Sequence, residues 1–143
     1  MQYAVKIWLA QQKWTFFLYR DNMEYYSDRF HYFSLIIYND KGNIMALLPA
    51  SIYGDTVISH GGLTFGGFVC DSKMTVAKML DVFASVKQFL KNAGVGIFIY
   101  KCMPAIYNKY PSNEALYALF SNNAELYRRD VSFSIYLPDR LGY

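Results

Sequence analysis

One apolar run of this 143-residue chain, Ile58-Ser59-His60-Gly61-Gly62-Leu63-Thr64-Phe65-Gly66-Gly67-Phe68, holds a histidine, two hydroxyls and four glycines. An imidazole titrates near neutrality, so His60 could take a proton during acyl transfer, with Ser59 and Thr64 as hydroxyls beside it. The sequence assigns His60 no carboxylate partner, and its ring could equally close a hydrogen bond at a strand end. Gly61, Gly62, Gly66 and Gly67 suit positive φ or the close approach of another group to the backbone. Two uses fit: a cradle for phosphate, or a bent strand lining a cleft. Seven residues separate Gly67 from the helix expected near Thr75. Phosphate-binding amides normally belong to a helix start, so a cleft wall is the better reading.

Further along, Lys101 follows the apolar run at 97–100, where an α/β crossover opens toward a ligand crevice. There it could neutralise a phosphate or carboxylate, or simply be solvated. Tyr107 and Tyr110 flank Lys109 between Pro104 and Pro111, and rings with an interleaved cation could stack on a sugar or base or anchor the loop in the core. Arg128 and Arg129 could grip a phosphate through planar guanidinium bonds, or form an ion-pair network with Asp130. Cys70 and Cys102 lie 32 residues apart, with only His31 and His60 as histidine companions, so zinc-ligand spacing is absent. Both thiols sit among apolar neighbours, and His31 beside Phe30 and Tyr32 reads as a surface or packing residue.

The elements that must position these groups follow from periodicity. Residues 1–13 carry Ala4, Ile7, Trp8 and Leu9 at mixed spacings that suggest an amphipathic helix, and Asp21 could cap a second short helix over 22–27. Strands are expected at 34–38, 44–52 and 56–60, joined by the turns Asn39-Asp40-Lys41-Gly42-Asn43 and Tyr53-Gly54-Asp55, as an antiparallel meander. Val76, Met79, Leu80, Phe83, Val86 and Leu90 recur every three or four residues and predict one helix over 75–92, ended by Gly94. The strand at 97–100 would complete a crossover and make the sheet mixed. Ser112 is positioned to cap a helix over 113–122 with Leu116, Leu119 and Phe120 on one face, and 126–137 alternates as a last strand.

Composition narrows the class. With 54% hydrophobic and 19% aromatic residues the chain can fill a ring-rich core, which excludes a disordered segment. A net charge of +3 is too small to argue for nucleic acid, so any basic footprint must be local. No apolar run reaches the roughly 18 residues of a membrane span, and no signal-peptide pattern opens the chain, so a cytoplasmic location is expected.

Several separated strings also share one pattern: Thr15-Phe16-Phe17-Leu18-Tyr19-Arg20, Tyr25-Tyr26-Ser27-Asp28-Arg29-Phe30, Leu47-Leu48-Pro49-Ala50, and Ser59 through Gly67. It continues through Tyr100-Lys101, Met103-Pro104, Ile106-Tyr107, Tyr110-Pro111, Tyr117-Ala118-Leu119-Phe120 and Arg128-Arg129-Asp130. Their order and content resemble the amino-terminal half of bacterial FemAB-like proteins of the GNAT acyltransferase superfamily, over roughly residues 6–137. The resemblance implies an α/β (α+β) fold: a single GNAT-like domain over 1–143, with a mixed, mostly antiparallel twisted sheet flanked by helices, as the amino-terminal half of a longer two-domain protein. It further implies acyl or aminoacyl transfer to an amine of a cell-envelope peptide or polysaccharide precursor. The donor would be acyl-coenzyme A or aminoacyl-tRNA, and the tRNA would be a partner only under aminoacyl transfer. His60 would then be the catalytic candidate. Ser59, Gly61, Gly62, Thr64, Gly66, Gly67, Lys101, Tyr107, Tyr110, Arg128 and Arg129 would bind substrate. The usual coenzyme A signature, an Arg or Gln before a Gly-rich helix start, is missing. This leaves open a non-catalytic binding or dimerisation domain, paired with a second GNAT-like domain or with its own copy.

Overall fold

A proline in mid-ribbon shapes the sheet. In the computed structural model, which describes residues 4–7, 31–131 and 133, strands β1 (Ala4–Ile7), β2 (His31–Tyr32), β3 (Leu35–Tyr38), β4 (Ile44–Leu48), β5 (Ala50–Tyr53), β6 (Thr56–Ser59) and β7 (Ile97–Ile99) form two ladders. One has the order β1-β3-β4, the other β2-β5-β6-β7. His31 pairs with Ile52 and Leu35 with Leu48, so the register runs unchanged through the break and sets Ser34 opposite Pro49. Pro49 has no amide hydrogen to offer its neighbour. The buried Ser34 hydroxyl instead accepts the Ala50 amide at 3.2 Å, and the Pro49 carbonyl accepts the His60 amide at 2.8 Å. The expected strand over 44–52 is therefore two strands of one kinked ribbon, and the meander stands with that break.

The turn at 39–43 forms as expected: the Asn39 side chain accepts the Lys41 and Asn43 amides, and Gly42 has φ +78°. Helix α1 (Val76–Asn92) starts where Thr75 accepts the Lys78 amide and ends where Gly94, at φ +75°, donates to Lys91 while Val95 donates to Leu90. From it the chain enters β7, which lies parallel to β6 with Val57 opposite Phe98. All other strand pairs are antiparallel, so the sheet is mixed. The core joins Leu35, Ile37, Ala46, Leu48, Ala50 and Val57 of the strands to Met79, Val82, Phe83, Val86 and Leu90 of α1. Val82 belongs to that stripe and the predicted Val76 does not, because Val76 at the first turn is exposed.

Three expectations change. Residues 4–7 are not helical: Ala4–Ile7 is an edge strand antiparallel to β3, with Ala4 opposite Tyr38. Val5 and Ile7 repeat every second residue, a strand period that outweighs the mixed helical spacing. Helix α2 (Glu114–Ser121) has Asn113 rather than Ser112 at its N-cap position, with no side-chain capping bond, and turns Ala118 into the core, leaving Leu116 and Phe120 exposed. Residues 125–131 form no strand, while the rest of the expected last strand, apart from Phe133, lies outside the described residues. So do the expected helix over 22–27 and the remainder of the first one.

Candidate functional site

Beyond the carboxyl ends of the parallel pair β6 and β7, the chain leaves the sheet twice and encloses a cleft of about 770 Å³. Open α/β sheets place ligands at this end of parallel strands, because the departing loops diverge there. One wall is the loop after β6, contributing His60, Leu63, Phe65, Gly66, Gly67 and Asp71. The other is the segment after β7, a 3-10 turn at Ala105–Tyr107 followed by the start of α2, contributing Tyr107, Lys109, Tyr110 and Glu114.

The floor is apolar and rigid. Phe68, Met79 and Tyr100 line it, and Phe68 packs edge-on against Phe83 at 5.0 Å between centroids, with Tyr100 5.6 Å and 5.4 Å from the two rings. The Tyr100 hydroxyl accepts the Phe68 amide at 2.9 Å. Burial pushes its pKa far up, so the phenol stays neutral. Burial also pushes the Cys70 thiol up to about 12, and the Cys102 thiol is raised by partial desolvation, so neither is primed as a thiolate nucleophile.

The glycine-rich segment is shaped by contact. A Cβ on Gly66 would stand 2.7 Å from the Ser59 carbonyl oxygen, and one on Gly67 would stand 2.6 Å from the Tyr100 hydroxyl. Gly67 has φ +93° and Gly62 φ +84°. These glycines let the loop fold back over β6 and β7; helix α1 begins well beyond them and is already capped by Thr75. His60 itself has φ +51°, a conformation rare for a residue with a side chain, and its Nδ1 lies 3.4 Å from the Gly61 carbonyl oxygen.

Lys101 closes the loop from behind. Its ammonium donates to the carbonyls of His60 at 3.2 Å and Leu63 at 2.5 Å, and its backbone amide donates to the Ser59 hydroxyl at 2.7 Å. Desolvation lowers its proton affinity, and the nearby charge of Arg128 lowers it further. Ser59 is fully buried. Neither residue is among the described residues that line the cleft, nor are Gly61, Gly62 and Thr64.

The structure thus brings His60, Gly66, Gly67, Tyr107 and Tyr110 to one cleft, while Arg128 and Arg129 stand on an exposed segment outside the described lining. Arg128 donates to Asp130 at 2.8 Å, an ion pair open to solvent on both sides. Sequence reasoning missed Phe65, Asp71, Asn108, Asn113 and Glu114 as lining residues. Phe65 stacks on Tyr107 with centroids 5.1 Å apart at 29°, which ties the two walls together. Its one visible signal was its place inside the glycine run. Glu114 accepts the Ser112 hydroxyl at 2.5 Å, a bond that holds its carboxyl below the ordinary range and hence ionised.

Charge in the described lining is sparse and mixed: Lys109 against Asp71 and Glu114. The described residues contain no cluster of three or more His, Cys, Asp or Glu able to hold a metal ion, and no described helix is long and apolar enough to cross a membrane. Fold and site together define a mixed α/β domain with a ring-lined cleft at its parallel strand ends. No protein-family model, no curated protein and no solved structure matches the chain.

Proposed function

We propose that this chain is the acceptor-binding, GNAT-like domain of a FemAB-like acyl- or aminoacyltransferase, acting on an amine of a cell-envelope peptide or polysaccharide precursor. The observation that carries the reading is the cleft itself, open at the carboxyl ends of the parallel pair that the β6-α1-β7 crossover creates. Family resemblance along the sequence supplies the reaction class. The fold alone would not.

In such a transfer the amine nitrogen attacks the activated carbonyl carbon of the donor. A C–N bond forms and the C–S bond of an acyl-coenzyme A, or the C–O ester bond of an aminoacyl-tRNA, breaks. The amine loses a proton to a base and the leaving thiolate or alkoxide gains one, so no protein nucleophile is required. His60, which brings an imidazole to the cleft wall, is the candidate base. Tyr107 and Tyr110 orient the acceptor, and Lys101 acts through the loop it holds.

A second reading, a domain that binds or pairs without chemistry of its own, is favoured by the apolar surface left by α2 and the segment after it. Phe120 is 78% exposed and Tyr127 82%. The two readings separate in one assay: the chain is incubated with acetyl-coenzyme A or charged tRNA and amine acceptors, and acylated product is sought by mass spectrometry. Product that disappears in His60→Ala supports transfer. Acceptor binding without product from either donor class supports the binding domain.

A further inference from the structure

Tyr107 is held flat in advance of any ligand. One face lies against Phe65, yet the residue remains 61% exposed and lines the cleft, so a second ring face is open to a ligand. Tyr110, also exposed and lining the cleft, carries the Lys109 ammonium 5.9 Å from its ring centroid. A ring fixed before binding loses little rotamer freedom on binding, and its apolar face suits the C–H face of a pyranose. The same cleft is lined by two residues with amide side chains, Asn108 and Asn113, and two with carboxylates, Asp71 and Glu114. Asp71 accepts the Lys73 amide and Glu114 the Ser112 hydroxyl, and each carboxylate has further acceptor capacity.

From this juxtaposition of two exposed rings with two carboxylates and two amides, we infer that the ligand of the cleft is a hexosamine: its ring stacks on Tyr107 or Tyr110, its hydroxyls meet Asn108 and Asn113, and its ammonium meets Glu114 and Asp71. The inference rests on the reading that this cleft holds the acyl acceptor. It deepens that reading by naming the sugar amine, rather than a peptide amine, as the group presented. A polyphosphate chain does not suit the site, because the described lining sets one ammonium against two carboxylates. A nucleobase could use the same rings, so a nucleoside diphosphate serves as the competing probe.

The test is a titration of the whole chain, followed by amide chemical shifts, with glucosamine, glucose, N-acetylglucosamine and uridine diphosphate at neutral pH. Glucosamine is expected to bind about fivefold or more tightly than glucose or N-acetylglucosamine, with shifts confined to residues 60–72 and 102–116. Tyr107→Ala, with its fold checked by the amide shifts of α1 and the strands, is expected to weaken every sugar at least tenfold, whereas Glu114→Gln abolishes only the preference for the amine. Equal affinity for glucose and glucosamine, tighter binding of uridine diphosphate alone, or no sugar binding at all overturns the inference. Acylation of a peptide amine without sugar binding would sink the hexosamine and leave the transferase standing. Sugar binding of the predicted pattern without acylation by either donor would do the reverse.

Discussion

The Tyr100 hydroxyl stands 2.6 Å from the point that a Cβ on Gly67 would occupy, so the floor of the cleft and the glycine-rich wall fit together only because residue 67 has no side chain. The same hydroxyl accepts the Phe68 amide, one residue further along that wall. Gly67→Ala forces a side chain into φ +93° and into this contact, and is expected to lower unfolding free energy by about 2–4 kcal/mol in chemical denaturation. Tyr100→Phe strands the Phe68 amide at a cost of about 1–3 kcal/mol. Because it also removes the oxygen that a Cβ would meet, the double variant should lose less than the sum of the two, a coupling that a double-mutant cycle measures.

Lys101 pins the loop through two carbonyls rather than through a carboxylate. Lys101→Met keeps the apolar stem and removes the donors, so amides of residues 61–65 should exchange with solvent faster while those of α1 remain protected. A loss of about 1–2 kcal/mol is expected. Unchanged exchange in the loop would show that the glycines alone shape it.

Alkaline pH should weaken the fold through Cys70. Burial raises its thiol from the ordinary 9.0 to about 12, so the folded state keeps a proton that the unfolded chain gives up. This contribution is present in full below pH 9 and is lost as pH rises toward 12. Tyr100, whose phenol is also raised by burial, adds to the loss, so the Cys70 part is isolated by comparison with Cys70→Ala, whose stability should fall less steeply above pH 9. At pH 8 the exposed Cys102 should also be alkylated by iodoacetamide sooner than Cys70.

Arg128 and Asp130 form an ion pair in open solvent. Arg128→Ala is expected to leave the melting temperature unchanged, because exposed pairs are screened and lose side-chain entropy on forming. If Arg128 and Arg129 grip a donor phosphate, the double alanine variant should instead lose donor affinity, with a reduced dependence of that affinity on salt.

Much of the scaffold was legible because its signals are local. Thr75, the three-and-four spacing from Met79 to Leu90, and Gly94 define α1 without reference to the rest of the chain, and Asp40 with Gly42 marks the first turn, although the side chain that closes it is that of Asn39. β1 was not legible, since four residues carry too little pattern and its partner β3 begins 28 residues after Ile7. Pro49 was in plain view and its effect on the 44–52 strand follows from the missing amide; how the ribbon keeps register, through the Ser34 hydroxyl, needed three dimensions. At the cleft, the glycine run and the proline-bounded tyrosines could each be picked out. Their convergence, and with it Phe65, Asp71 and Glu114, depends on the parallel pairing of β6 and β7, which brings 41 residues' separation between Ser59 and Tyr100 down to adjacent strand ends.

The most direct test of the account is acylation itself. The whole chain, supplied with acetyl-coenzyme A or aminoacyl-tRNA and an amine acceptor, should yield an N-acylated product by mass spectrometry, with KM for the acceptor raised at least tenfold in Tyr107→Ala and kcat reduced in His60→Ala. Absence of product with both donors, from protein shown to be folded and to bind the acceptor, would contradict it.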